Sequence, residues 1–315
     1  MIRKFLFYGL LLLLSSGNIK TAESKPEKLK VLSWNVWHRG HAEQYGEKGC
    51  AGTMGILEKS GADVIMMVET YGCSDKVADR LGYYHRLLSD NLSIYSRYPI
   101  VKTLTFSDSI PTFNFGGVEL DVNGKRVRAF AVWLHYLPDL RLAPLDKTEE
   151  EILAWDNAGT RDDEIRQIMN VLRPMLAEAD SIPIIVGGDF NIHSHLDWVD
   201  STRDLYNHGG KTVEWTVSKV MQENGFIDSF RELNPDPAKN IGATWYWSGG
   251  DIKDRMDRID FIYYTGKNIQ AIQSEVYNSD LPGTLDFQGE QFFYASDHGF
   301  VLTTFSLGKA NRKKR

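Results

Sequence analysis

The chain has 315 residues, 42% of them hydrophobic and 12% aromatic, and a formal net charge of -6. That composition excludes a disordered chain, which lacks the apolar side chains needed to offset its ordering entropy. The acidic balance argues against bulk, non-specific binding of polyanions, although a local basic cleft is compatible with it.

The amino terminus reads as a separate object. Arg3 and Lys4 precede an apolar run from Phe5 to Leu14, then Ser15, Ser16 and Gly17. That order of charge, apolar core and small residues predicts a secretory signal peptide over residues 1–22, too short to span a bilayer as a resident helix. Cleavage near Ala22 removes three cations and no acid, taking the formal charge to about -9. The mature chain 23–315 is therefore expected to be secreted or periplasmic, without a transmembrane segment, and monomeric. Arg312-Lys313-Lys314-Arg315 predicts a solvated tail. Cys50 and Cys73 both fall in the exported part; one disulfide is expected, with two free thiols as the alternative.

Leu29 to Trp34 predicts a strand ending at Asn35. The polar, glycine-rich stretch 40–52 predicts a loop, and Thr53 to Ser60 a helix. Val64 to Val68 predicts a buried strand ending on Glu69, Asp75 to Leu81 a helix, and Leu92 to Tyr95 a strand stopped before Pro99. Arg126 to Leu134 alternates and is rich in β formers, a strand that delivers His135. Two prolines make 137–147 a loop. Thr160 to Ala177 carries an apolar stripe at Ile165, Ile168, Met169 and Leu172, a helix that Pro174 kinks or shortens. Ile184-Ile185-Val186 has the composition of a strand buried on both faces, followed by Gly187-Gly188-Asp189-Phe190-Asn191. A polar loop 193–211 leads to a helix over Val213 to Asn224, stopped by Gly225. Thr244 to Trp247 and Arg258 to Tyr264 predict strands, and Phe300 to Phe305 a last one after Ser296-Asp297-His298. No repeat or composition break follows the leader, so one α/β domain is expected.

Asn35, Glu69, His135, Asp189 and Asn191 each stand where an apolar strand gives out. Polar groups at strand ends converge on one sheet edge, where α/β scaffolds place their sites. Each alone is also an ordinary cap or turn residue; the weight lies in five together. Glu69 is the candidate ligand for a hard cation, with Asn35 as a second, neutral oxygen donor or a phosphate contact, because Mg2+ takes few protein carboxylates, several waters and substrate phosphate. Asp297-His298 offers a base beside an acid. Adjacent side chains diverge on a strand, so Asp260 is the alternative orienting acid. His193-Ser194-His195-Leu196-Asp197 places ligand types at alternate positions and admits a zinc reading, or hydrogen bonding within a loop.

Six segments in order carry a resemblance: Leu32-Ser33-Trp34-Asn35, Val68-Glu69-Thr70, Ser96-Arg97-Tyr98-Pro99-Ile100, Gly187-Gly188-Asp189-Phe190-Asn191, Arg258-Ile259-Asp260-Phe261 and Ser296-Asp297-His298. They resemble the motifs of the endonuclease/exonuclease/phosphatase (DNase-I-like) superfamily over essentially the whole mature chain, with Val68 standing where the family more often has Gln. The resemblance implies a four-layer α/β sandwich, two packed mixed β-sheets flanked by helices. It also implies a metal-dependent phosphoesterase using Mg2+, or Mn2+ in its place. Asn35 and Glu69 would help hold the metal, and Asp297 would bind or position the metal or the water around it. His298 would activate the attacking water, oriented by Asp260. Asp189 would align the nucleophile or a leaving-group proton, and Asn191 would contact a phosphoryl oxygen. His135, where many DNA-repair members carry tyrosine, would stabilise the transition state.

Arg258, His193, His195 and Trp198 are expected to contact substrate. Trp245 and Trp247 either stack on a base or ring or fill the core. The favoured reaction is hydrolysis of a phosphodiester by in-line attack of water. The alternatives are a secreted nuclease acting on DNA or RNA, and a phospholipid-headgroup phosphodiesterase, for which no exposed aromatic hairpin or amphipathic helix is evident. A non-catalytic binding module ranks below both, because Glu69, Asp189 and His298 are all present.

Overall fold

The computed structural model describes residues 27–246, 256–279 and 283–308; the expected signal peptide, Trp247 and the 312–315 tail lie outside them. In chain order the first half forms β1 (Glu27–Asn35), α1 (Trp37–Ser60), β2 (Val64–Val68), α2 (Ser74–Leu81), β3 (Tyr84–Leu87), β4 (Leu92–Ser96), β5 (Ile100–Leu104), β6 (Phe115–Val122) and β7 (Lys125–Trp133). The middle adds α3 (Glu149–Asp156), α4 (Arg161–Leu176), β8 (Ile184–Asp189), α5 (Thr216–Glu223), β9 (Ile227–Asp228) and α6 (Ser229–Leu233). The last part adds β10 (Trp245–Tyr246), β11 (Met256–Asp257), β12 (Asp260–Thr265), β13 (Ile269–Tyr277), β14 (Gly283–Phe287), β15 (Glu290–Tyr294) and β16 (Phe300–Leu307).

Two six-stranded sheets result, ordered β13-β16-β1-β2-β4-β3 and β5-β6-β7-β8-β12-β9. Both are mixed: β1 and β2 run parallel, as do β7 and β8, while their other neighbours are antiparallel. Side chains alternate across a strand, so each sheet has two faces to cover. The inner faces bury Val31, Met66, Ile94, Ala129, Ile185, Ile262 and Val301 against one another. Outside the second sheet, the stripe Ile165, Ile168, Met169 and Leu172 of α4 packs with Val217 and Met221 of α5. Outside the first, Ile56 and Leu57 of α1 and Val77 and Ala78 of α2 do the same. These are the four layers, with helices on both sides of two packed sheets. At Gly187 the sheets approach closely: a Cβ there would stand 2.3 Å from Met66 Cε and 3.2 Å from Ser33 Cβ. The glycine serves a close approach rather than a turn.

The structure corrects several local expectations. Residues 40–52 are not a loop but part of α1. Gly52 answers to packing, since a Cβ there would lie 1.9 Å from the carbonyl oxygen of Phe293 in β15. The β14–β15 hairpin lies across the helix, with Tyr45 edge-on to Phe293 at 5.2 Å between centroids. An aromatic hairpin therefore exists, but Phe287 and Tyr294 on it are fully buried. Pro174 does not stop α4, which continues to Leu176. Cys50 and Cys73 are free thiols rather than a bridge, and Cys50 Sγ donates to the carbonyl oxygen of Arg39 at 3.4 Å. Among the described residues, no helix is long and apolar enough to cross a membrane.

Candidate active site

Strand register assembles the site. Parallel pairing sets Asn35 beside Val68 and Trp133 beside Asp189, while Asp260 opens β12 opposite Asp189. Residues at or just beyond these positions therefore meet at one edge shared by both sheets. Of the polar groups there, His298 is the most constrained. Its Nδ1 lies 2.9 Å from Asp260 Oδ2, and its Nε2 lies 3.8 Å from Asp189 Oδ2 and 3.9 Å from Asp297 Oδ1. With Nδ1 facing a carboxylate, that nitrogen carries the proton of the neutral ring and Nε2 is left as the base. Burial disfavours the imidazolium, but Asp260, Asp189 and Asp297 outweigh it and hold His298 well above the usual imidazole range.

Main-chain contacts fix that geometry. The His298 carbonyl oxygen accepts from Trp34 Nε1 at 3.1 Å and Tyr294 OH at 2.7 Å. Its amide donates to Ser296 Oγ at 3.0 Å, and Ser296 Oγ in turn donates to the Asn35 carbonyl oxygen at 2.6 Å. Thr244 Oγ1 accepts from the amides of Ile259 and Asp260, both at 3.0 Å, holding the orienting acid in place.

Asp189 is buried and accepts three hydrogen bonds from the protein. Its Oδ1 accepts from the Asn191 amide at 2.9 Å, and its Oδ2 accepts from Asn35 Nδ2 at 3.0 Å and Asn191 Nδ2 at 3.1 Å. Burial pushes this carboxyl up, His298 opposes the rise and Asp260 adds to it. Asn191 has φ 51°, and its Nδ2 also donates to the Leu134 carbonyl oxygen at 2.9 Å.

Glu69 lies across from Asp189 on the first sheet, also with positive φ (60°). Its Oε1 accepts from Asn35 Nδ2 at 3.1 Å, and its amide donates to Asn91 Oδ1 at 3.1 Å. Above it, Trp37, His38, Arg39 and Gly40 hold φ of 43°, 48°, 64° and 72°, so α1 opens with a left-handed turn. Non-glycine residues adopt that conformation at about 1–2 kcal/mol each. The turn is offset by its bonds: the Trp37 amide donates to Asn35 Oδ1 at 2.9 Å, and the Arg39 amide to the Glu69 carbonyl oxygen at 3.1 Å.

His135 stands just past β7. Its amide donates to Glu164 Oε2 at 2.9 Å, and its Nδ1 accepts from the Leu137 amide at 3.2 Å, which assigns the ring proton to Nε2. A cavity of about 160 Å3 adjoins the cluster, lined among others by Tyr136, Arg141, Asn191, Trp245, Asp297 and His298. A larger cavity, about 750 Å3, opens between α5, α6 and the 196–201 loop and touches none of these groups. Chemistry, not size, selects the smaller one.

Residues 32–298 match the model of the Endonuclease/Exonuclease/phosphatase family. The chain belongs to that family. A Caenorhabditis elegans protein of uncharacterised function is 25% identical over 319 residues, covering 95% of this chain and 98% of its own. The crystal structure of truncated TDP2 from Caenorhabditis elegans superposes with TM-score 0.57 at 15% identity, covering 89% of this chain and 97% of that one. The Neisseria 3' phosphatase NExo, bound to a product DNA hairpin, gives TM-score 0.58 at 15% identity, with 87% and 98% covered. At such identities the two structures show the shared DNase-I-like fold. Family membership makes the chain a phosphoester hydrolase of the nuclease and phosphatase class.

The family is generally divalent-metal dependent, and the donors present fit such an ion. Asp297 Oδ1 is buried without a hydrogen-bond partner. Burial pushes the Asp297 carboxyl up, His298 opposes and Glu69 adds, so the two acids sense each other electrostatically. Carboxylates suit a hard cation. Asp189, Asp260 and His298 also offer atoms within 4.8 Å of one another. Those three, however, already serve one another and Asn35 and Asn191 as acid, base and hydrogen-bond partners, which leaves Glu69 and Asp297 as the better cation side.

Other expected roles change in this family member. Asn35 is placed as a bridge: its NH2 joins Glu69 to Asp189 while its Oδ1 accepts from the Trp37 amide, so it braces two carboxylates. Asn191 likewise uses both Nδ2 hydrogens within the protein. Arg258 is buried rather than facing substrate, with Nε 2.8 Å from Asp197 Oδ2 and Nη1 2.6 Å from Asp228 Oδ2. His193 pairs with Asp257 at 3.2 Å and sits against Trp198 and Trp215. His195 bonds Ser218 Oγ and Gln222 Oε1, both at 2.7 Å, and Trp198 stacks on His208 at 4.0 Å. His193, His195 and Asp197 thus point to three different sets of partners, which ends the zinc reading and makes the segment a packing layer. Trp245 does reach the small cavity. Arg161 and Thr244 escaped the sequence reading, and Ser296 stood there inside a motif without a role of its own, because nothing local marks a buried arginine or hydroxyl that acts across the fold.

Proposed function

We propose that the chain is an exported phosphodiesterase that hydrolyses its substrate by in-line attack of water, with Mg2+ held by Glu69 and Asp297. The observation that carries this reading is His298 set between Asp260 on Nδ1 and Asp189 and Asp297 near Nε2. His298 Nε2 takes a proton from water, and Asp260 keeps the ring oriented and stabilises the imidazolium. Asp189 accepts a hydrogen bond from that water and aligns it. His135, its proton on Nε2, donates to a phosphoryl oxygen as charge builds there. When bound, Mg2+ supplies Lewis-acid polarisation of the phosphoryl group. A diester is favoured over a monoester because the cavity beside His298, flanked by Tyr136, Arg141 and Trp245, gives a second ester substituent a place. Export rests on the Arg3 to Gly17 leader pattern.

The test is turnover of a chromogenic phosphodiester and the matching monoester by purified protein. Diester hydrolysis that disappears with chelator and returns with Mg2+ is expected. Activity that survives chelation would sink the metal assignment, and turnover of the monoester alone would sink the diester one. Mass spectrometry of the exported protein checks the leader; an intact Met1 on it would remove that part.

A further inference from the structure

The left-handed turn over residues 37–40 brings Glu69 a donor that the mechanism above does not use. His38 Nε2 lies 3.4 Å from Glu69 Oε2, and the His38 amide donates to the same oxygen at 3.1 Å. The ring stands edge-on to Tyr71 at 5.0 Å between centroids, while 55% of the side chain is exposed. It is held in place yet open to the solvent from which a hydrated ion arrives. Three successive non-glycine residues with positive φ build this arrangement, and strain of that kind gathers where a fold must aim a functional group.

Spacing decides what the pair can do. Two ligands at about 2.1 Å and at right angles on one ion stand about 3 Å apart, so 3.4 Å is a small side-chain adjustment away. We propose that His38 is a ligand of the cation held by Glu69, which makes the site mixed nitrogen and oxygen rather than all oxygen. The proposal rests on the reading of Glu69 as a cation ligand. Imidazole suits first-row transition ions, whereas Mg2+ demands oxygen; carboxylates and water serve both. His38 therefore raises the affinity of the site for an ion such as Mn2+ and leaves that for Mg2+ nearly untouched.

The experiment measures Mn2+ binding to the full-length protein without substrate, by electron paramagnetic resonance, with Mg2+ as competitor. His38→Ala is expected to weaken Mn2+ binding about tenfold or more with little change for Mg2+. The nitrogen coupling in the spin-echo spectrum of bound Mn2+ is expected to fall with it. Unchanged Mn2+ affinity and coupling would overturn the proposal. Equal weakening of both ions would overturn it too, since His38 would then only position the Glu69 carboxylate. Glu69→Gln separates the underlying reading: if that variant binds Mn2+ as before, Glu69 is not the ligand, whatever His38 does.

Discussion

The buried guanidinium of Arg161 donates from Nη1 to the carbonyl oxygen of Asn191, 2.5 Å away. The same group reaches the carbonyl oxygens of Tyr136 at 3.4 Å and Pro138 at 2.9 Å, and it pairs with the buried Asp156. One side chain thus ties the segment after β7 to the segment after β8. Those segments carry His135 and Asn191, so the relative position of the second sheet's site residues depends on it.

Arg161→Ala should therefore destabilise the protein by about 3–5 kcal/mol, because it strands the Asp156 carboxylate and the carbonyls in a dry setting. Arg161→Lys should recover little of this, since an ammonium cannot reproduce the planar fork. Urea midpoints measure both. A midpoint for the alanine variant close to wild type would refute the clamp.

His298→Ala and Asp260→Asn should each slow hydrolysis by roughly 10²–10⁴-fold with circular dichroism unchanged. Because Asp260 acts through the imidazole, the double variant should be about as slow as His298→Ala alone. Losses that multiply in the double variant would show that the two residues do not work as a unit.

Two glycine variants separate flexible from rigid contacts. Gly187→Ala meets the tip of Met66 at 2.3 Å, which can move, and should cost about 1–3 kcal/mol. Gly52→Ala meets the Phe293 carbonyl oxygen at 1.9 Å, which cannot yield without lifting β15, and should cost more. Unfolding midpoints in the reverse order would contradict the hairpin's seat on α1.

Cys73 gives a pH prediction with a definite sign. Burial first, and the neighbouring Cys50 second, push its thiol up to about 11. The unfolded thiol ionises near about 8.5, so between these values the folded chain holds the proton more tightly and stability falls as pH rises. Alkylation of Cys73 in the native protein should accelerate only toward the top of that window. Fast labelling near pH 7, with the protein folded, would contradict the raised thiol.

Segments whose pattern reports burial directly were legible. Val64–Val68 and Ile184–Val186 are apolar throughout because both faces are covered, and α4 shows its stripe because one face is. The β6–β7 hairpin was half missed, although Asn123-Gly124 with φ of 51° and 87° is a strong two-residue turn signal. β13 hid for a better reason: it is an edge strand with a bulge between Ala271 and Gln273, so its alternation breaks. At the site, Asn35, Glu69, His135 and Asp189 announced themselves at strand ends. Arg258 misled because a charged residue in a motif reads as a substrate contact, and only its burial between Asp197 and Asp228 shows otherwise.

By itself the sequence determined the α/β class, the family motifs in order, and the strand ends from which polar groups emerge, because those follow from local periodicity and residue type. Only the tertiary structure decided which of those groups meet. Asn35 braces two carboxylates, Asp260 rather than the adjacent acid takes His298 Nδ1, and His38 is brought to Glu69. These pairings join residues dozens to hundreds of positions apart or depend on a left-handed turn, and the register between strands, not the spacing along the chain, sets such distances.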